Sequence, residues 1–456
     1  MPVRPTAALL STALALAAAS LTACGGGSGS DPDTIEVSFK QSTDNSVKVM
    51  DTYLADVKEQ FERAHPGKKV KLVPIKAPDA EYYTKLQQML RSPKTAPDLV
   101  YEDTFLINSD ITSGYLQPLD PYLARWKDWD RFIDPAKAAA RGEDGKTYGV
   151  PDGTDTRGLW FDRGIFAKAG LPADWQPRTW EEVLDAARTI KRKVPGVVPL
   201  NVYTGKPAGE AAAMQGFQML LYGTNDGTSD PLYDRRAKKW IAGSRGFRDA
   251  LAFVGTVYAE KLGPDVADAL DPNFATRVRG ELLPQGKLGI ALDGSWLPQD
   301  WLPGSGHEWP EWSERLGLAA MPTQHGQAPG KVSMSGGWTW AIPAEAANPD
   351  LAFAFVKTMQ TKENARKWYV ANSGIAVRGD VAGDPAYADA QPGTRFFTGL
   401  VAHTHYRPAY PAYPKVSVAI QEAMEGVTTG DLSVAEAARG YDETLEEVTD
   451  GQVVHK

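Results

Sequence analysis

The amino-acid sequence predicts the α/β class, with two lobes of strands and helices facing each other across a cleft and joined by a hinge. Three observations predict it. Short apolar runs of period two alternate with longer runs of helical spacing. The same alternation returns in the second half of the chain, and proline- and glycine-rich connections cluster near 141–158, 263–273, 298–312 and 322–337 instead of forming one linker. Strand, helix, strand in succession implies βαβ units and a mostly parallel sheet. Such sheets bind ligands beyond the carboxyl ends of their strands, so two of them face to face enclose a cleft. A chain of 456 residues carries enough core for this.

Taken in order, Ile35, Val37 and Phe39 alternate as a strand, and Met50, Leu54, Val57 and Phe61 recur at helical spacing. Val70 and Leu72 resume a strand, expected to end near Pro74. Tyr83, Leu86 and Leu90 mark the next helix, and Asp98-Leu99-Val100-Tyr101 a buried strand. Thr179 and Glu182 have the spacing of a capping box ahead of Val183, Leu184, Ala187 and Ile190. Val197 to Val202 predicts a strand, and Met214, Phe217 and Leu221 share a helical face. Further strands are expected at Leu288–Leu292, Leu316–Met321 and Trp338–Ile342. Asn348-Pro349 is an N-cap and N1 pair for a helix carrying Leu351, Phe355 and Met359. Ser433 and Glu436 form a second capping box before Ala437, Tyr441, Leu445 and Val448.

The first 23 residues differ in kind. Arg4 and the amino terminus give a weakly positive start, Ala7 to Ala19 is small and apolar apart from Ser11 and Thr12, and Leu21-Thr22-Ala23-Cys24 follows. That order is a secretory signal with a small-residue cleavage site. Leu-Thr-Ala-Cys resembles a lipobox, which implies that Cys24 becomes the lipidated, palmitate-bearing first residue of the mature chain. Cys24 is also the single cysteine, so no internal disulfide exists. Gly25 to Ser30 reads as a flexible tether.

Composition excludes several classes. With 42% hydrophobic and 23% charged residues the chain is globular, and a net charge of −8 offers nothing for nucleic-acid phosphates. No G-x-S-x-G elbow, P-loop or G-x-G-x-x-G occurs, so no cofactor is expected and any ATP for transport is used by a separate subunit. His403-x-His405 lacks a third metal ligand. A glycan-cleaving enzyme needs two flanking carboxylates, and no local signature nominates a pair.

The positive signal is aromatic: 13 Trp, 17 Tyr and 14 Phe. Sugars present apolar C–H faces and a rim of hydroxyls, so their sites need flat rings with polar groups at the edge. Trp296, in Asp293-Gly-Ser-Trp, and Trp338, after Gly336-Gly337, follow small turn residues that let backbone approach a ligand. Trp160 beside Phe161, and Trp301, Trp309 and Trp312, are further candidates, although core filling is the favoured reading for any one of these tryptophans. Glu102 and Asp103 end a strand where ligand-binding side chains are expected, although Asp103 could equally cap the next helix. Lys40 and Gln41 occupy the same edge, and Tyr406, Arg407 and Tyr410 could stack on a ligand or sit in a solvated loop.

Several motifs, in order, resemble a known family. They are Phe61-Glu-Arg-Ala-His-Pro-Gly67, Ala96-Pro-Asp-Leu-Val100 with Gly114-Tyr-Leu-Gln-Pro-Leu-Asp120, Asp144-Gly-Lys-Thr-Tyr-Gly-Val-Pro151, Gly158-Leu-Trp-Phe-Asp162 and Phe166-Ala-Lys-Ala-Gly-Leu171. Thr179-Trp-Glu-Glu182, Gln285-Gly-Lys-Leu-Gly-Ile290 with Gly294-Ser-Trp296, and Ser335-Gly-Gly-Trp338 complete the series. Together they resemble extracellular solute-binding protein family 1, the maltose-binding-like receptors of bacterial ABC importers. The resemblance implies a two-lobed, type II periplasmic-binding-protein-like fold, closure on a sugar ligand without catalysis, and delivery to permease subunits with a separate ATPase. It implies a monomer held at the extracellular face of a Gram-positive cell membrane only through lipid on Cys24. The implied boundaries are 1–23 signal, 24–33 tether, 34–152 first lobe, 153–322 second lobe, 323–372 return to the first lobe and 373–456 C-terminal helices of the second.

The resemblance assigns ligand contact to Trp296, Phe161, Glu102, Asp103 and the Tyr406 to Tyr413 segment, and the residue reading adds Lys40, Gln41, Trp160, Asp293, Gly337, Trp338, Arg407 and Tyr410. The family's Tyr-Asn-Lys is Phe161-Asp162-Arg163 here, and Phe105 replaces an expected Asp, so maltose itself is not implied. Rival ligands in the same fold are a glycerophosphodiester or a polyamine. A phosphate calls for more arginine than Arg157 and Arg407.

Overall fold

A computed structural model describes residues 31–45, 47–224 and 230–456. The signal, Cys24 and most of the tether lie outside the described residues.

The first lobe is built on a five-stranded sheet. Thr34–Gln41 lies between Lys69–Lys76 and Leu99–Asp103, all parallel, and Gly337–Ala341 and then Gly149–Thr154 extend it antiparallel. The helices Val49–Ala64, Pro349–Met359 and Lys362–Ala371 cover one face, with Leu54, Val57, Phe61, Phe355 and Met359 in the core. Asp79–Leu90 covers the other, against Val100 and Ile107. Lys69–Lys76 runs past Pro74, where the sequence suggested a stop. It is an edge strand, and a proline there costs no ladder hydrogen bond.

The second lobe carries a four-stranded sheet in the order Leu316–Ala319, Arg157–Asp162, Leu288–Gly294, Val198–Asn201. Its helices Trp180–Lys193, Arg245–Ala259, Tyr413–Thr429 and Val434–Val448 bury one face. Trp160, Trp301, Trp309 and Trp312 pack together on the other. The expectation of a mostly parallel sheet fails here, because only Val198–Asn201 and Leu288–Gly294 run parallel. The reason is topological. Gly149–Thr154 passes directly into Arg157–Asp162 in the other sheet, with no crossover helix to return the chain. That crossing lies in a stretch the sequence presented as loop.

Two expected caps differ in detail. Thr179 accepts from the Glu182 N–H at 3.2 Å, but the Glu182 carboxylate reaches the Arg178 N–H at 2.7 Å, so the reciprocal half lands one residue early. Asn348 precedes Pro349 as expected, yet its amide donates to the Thr34 carbonyl at 2.9 Å and ties the helix to the first strand. The Ser433–Glu436 box is complete.

Packing also places the connecting segments. Val332 and Met334, on Lys331–Ser335, belong to the second-lobe core; Ala376, Val377, Val381 and Tyr387 belong to the first-lobe core. Among the described residues no helix is long and apolar enough to cross a membrane.

Candidate functional site

Between the two sheets lies a cavity of about 400 Å³, within the size class of small-molecule sites. Antiparallel pairing sets its first-lobe wall. Trp338 stands opposite Asp103, and Trp340 opposite Tyr101, so these four side chains share one face of the sheet. Trp338 is half-buried and stacks on Tyr101 at 4.7 Å and 9°. Tyr101 in turn meets Trp340 at 4.7 Å. Tyr83 also stacks on the Trp338 indole, at 6.1 Å, and lines the same cavity.

Glycine makes that arrangement fit. Gly337 has φ +143°, and a Cβ there would lie 2.6 Å from the Gly153 carbonyl oxygen. Gly337→Ala is therefore expected to lower stability by about 2 kcal/mol or more, since both the backbone angle and the neighbouring strand must give. Urea unfolding measures it. In the second lobe the Trp296 indole lies directly over Gly294, where a Cβ would sit 1.9 Å from the ring. The Arg157 guanidinium stacks 4.7 Å from the centre of the same indole.

The polar rim is a set of ion pairs and buried carboxyls. Arg407 donates to Asp103 Oδ1 at 2.7 Å, to Glu210 Oε2 at 3.1 Å and to Thr104 Oγ1 at 2.9 Å, joining first-lobe and second-lobe residues. Burial works against its charge, but Asp103 and Glu210 outweigh it and raise its pKa. Tyr83 donates to the other Asp103 oxygen at 2.8 Å, and the Phe105 N–H to Oδ1 in a local turn; the next helix, Ile107–Thr112, takes no side-chain cap, so Asp103 is not its N-cap. Asp293 is buried and accepts from Tyr203 at 3.0 Å, Gln215 at 3.2 Å and the Gly294 N–H at 2.7 Å. Burial raises its pKa. Arg157 pairs with Asp155, and Arg279 with Asp300 at 3.3 Å.

The structure thus brings Lys40, Asp103, Asp293, Trp296, Gly337, Trp338 and Arg407 to one cavity. It places the other candidates elsewhere. Trp160 and Phe161 are sealed in the second-lobe interior, at 0% and 2% exposure. Their strand is interior to its sheet and covered on both faces, so neither alternate residue reaches solvent. Trp301, Trp309 and Trp312 fill the same core. Glu102 pairs with Thr339 on the face opposite Asp103 and meets Asp110 beneath the helix Ile107–Thr112; burial raises the pKa of both carboxyls. Gln41 is turned to Asp51. Tyr406 lies on the short strand Thr404–Tyr406, beside Thr154 and Ser335. Tyr410 packs on Tyr233 at 3.9 Å.

Sequence reasoning missed Asp152, Glu210, Gln215 and Arg279 in the cavity wall. Arg279 and Gln215 follow no nearby motif. Asp152 stood in a segment whose Pro151 and Gly153 suggested a loop. His405 stacks on Tyr222 at 4.4 Å, and among the described residues no group of three or more potential metal ligands occurs.

Two α/β lobes around a polar, aromatic-walled cleft are the architecture of solute receptors. Residues 43–366 match the family of bacterial extracellular solute-binding proteins, and the chain belongs to that family. It is similar to a binding protein of Brucella abortus strain 2308, 23% identical over 414 residues, covering 86% of this chain and 90% of that one. Among solved structures it is similar to an ABC transporter solute-binding protein of Thermotoga lettingae bound to alpha-D-tagatose (22% identity, 91% and 99% of the two chains, TM-score 0.77). It is also similar to the GacH receptor of Streptomyces glaucescens, solved unliganded and with acarbose (24% identity, 91% and 98%, TM-score 0.75).

Proposed function

We propose that this protein is the extracellular receptor of an ABC importer and captures a sugar or oligosaccharide, closing its lobes on the ligand and delivering it to the permease. The observation that carries the reading is the half-buried Trp338, which lines one cavity together with Trp296 and several carboxyls. A flat indole suits the C–H face of a sugar ring, and carboxyl and amide oxygens suit its hydroxyls. Charge favours a neutral ligand. Arg157, Arg279 and Arg407 are each engaged by an acidic side chain, so none is left to neutralise a phosphate. The sugars bound by the Thermotoga and Streptomyces proteins point the same way.

The packing supports lobes whose crossings fall at 154–157, between 322 and 337, and between 388 and 404. The Leu-Thr-Ala-Cys sequence supports lipid anchoring through Cys24 at the outer face of the membrane, with ATP used by a separate subunit. Titration calorimetry against a panel of mono- and oligosaccharides tests the assignment, with product analysis of each incubation. Heat of binding with the sugar recovered intact is expected; no heat from any sugar overturns the reading, and cleavage replaces it with hydrolysis.

A further inference from the structure

The segment after the second-lobe strand Leu288–Gly294 closes into a tight turn of 3₁₀ type, Leu297–Asp300, and leaves only two side chains outward. Ser295, Leu297, Pro298 and Asp300 are buried, whereas Trp296 and Gln299 are partly exposed. The Gln299 N–H donates to the Trp296 carbonyl at 3.0 Å. Side chains at that three-residue spacing eclipse in a 3₁₀ turn, so Trp296 and Gln299 leave the backbone in the same direction. Both line the cleft cavity.

The turn is held on every side. Leu297 and Trp301 are buried, and the Trp301 indole N–H donates to the Arg279 carbonyl at 2.9 Å. The Asp300 carboxylate pairs with Arg279 at 3.3 Å, and the Asp300 carbonyl accepts from Ser305 Oγ at 2.6 Å. Pro298 fixes one backbone angle. The Trp296 indole is itself held against Gly294, with the Arg157 guanidinium 4.7 Å from its centre. A backbone so fixed needs no reordering when a ligand arrives.

Gln299 differs from the other amides of the wall in what it has left to offer. Gln215 donates to Asp293 Oδ1 at 3.2 Å, and Asn372 accepts from the Gly374 N–H at 2.8 Å. Among the described residues the Gln299 side chain has no hydrogen-bond partner, and it is open to the cavity instead of sealed behind it. A primary amide carries an acceptor oxygen and two donor hydrogens side by side. Neighbouring hydroxyls on a sugar ring present the complement: one donates to the amide oxygen and the next accepts from the amide N–H. A ring lying on the Trp296 indole directs its rim of hydroxyls to the edge of that platform, the side on which Gln299 stands.

Resting on the receptor reading, we propose that Gln299 is a specificity-determining residue: its amide reads two neighbouring hydroxyls of the ring stacked on Trp296. The protein then takes sugars in which that pair is free, and discriminates against those in which either hydroxyl is absent, methylated or engaged in a glycosidic bond.

The test is titration calorimetry on wild type and Gln299→Met. The probes are the mono- and oligosaccharides that bind wild type, from a panel including D-glucose, D-galactose, maltose and cellobiose, together with the monodeoxy forms of each. Methionine keeps the length of the side chain and removes the amide. An affinity about tenfold lower is expected in the variant. Two deoxy forms, at neighbouring carbons, should weaken wild-type binding several-fold each and weaken the variant no further. A variant within about twofold of wild type, or deoxy penalties that it retains in full, overturns the Gln299 assignment and leaves the receptor reading standing. Absence of heat from every sugar with wild type overturns both. Gln299→Glu, which keeps an acceptor and removes the donors, should lose the penalty at one of the two carbons only, and it decides the matter where Gln299→Met folds poorly.

Discussion

Trp338→Ala is expected to weaken sugar capture by about thirtyfold, roughly 2 kcal/mol, with the fold retained. The indole is half-buried, lines the cavity, and stacks with Tyr101 and Tyr83 at 4.7 and 6.1 Å. Truncation removes the ring that faces the ligand and leaves a hollow above Tyr101, so a sugar loses its contact and gains none. Stability should fall less than for a sealed core aromatic, because part of the indole already faces the cavity. Trp160→Ala provides the contrast. That ring is 0% exposed among Trp301, Trp312 and Phe397, and its loss should cost about 3–5 kcal/mol of stability. Calorimetry and urea unfolding on both variants separate the two roles. Equal affinity loss from both would contradict the assignment of Trp338 as a platform.

That contrast shows where the sequence was legible. Periodicity located strands and helices because it reports which residues are apolar at fixed spacing. Glycine before Trp296 and Trp338 located both cleft indoles, since close approach needs a missing Cβ and leaves that trace in the sequence. Trp160 and Phe161 carry no comparable local mark. Whether a strand is an edge or an interior strand depends on its neighbours, and Arg157–Asp162 acquires Leu316–Ala319 and Leu288–Gly294 from more than a hundred residues away. Glu102 and Asp103 could be separated only by fixing which face of Leu99–Asp103 meets the cleft, and that face is set by pairing with Gly337–Ala341. Asp152 was hidden for the opposite reason: Pro151 and Gly153 mimic a loop, whereas they mark a bulged edge strand.

Arg407→Met should produce the largest loss of stability among the cleft variants, about 3–5 kcal/mol at neutral pH. Methionine keeps much of the side-chain length but removes the charge, and Asp103 and Glu210 depend on it from opposite lobes at 2.7 and 3.1 Å. Neither carboxylate has free access to water, with side-chain exposures of 11% and 17%. The cost comes from stranding two partly buried anions, more than from losing the pair's own attraction. One consequence follows from that reason. Arg407→Met combined with Glu210→Gln should recover part of the stability, because one of the two anions is then absent. Glu210 also accepts from Tyr413 at 3.1 Å and from Ser417, so the glutamine must satisfy the same hydroxyls and full recovery is not expected. Urea unfolding of both variants measures the loss and the recovery, and no recovery in the double variant would assign the effect to packing against Phe105, over whose ring the guanidinium sits at 5.6 Å.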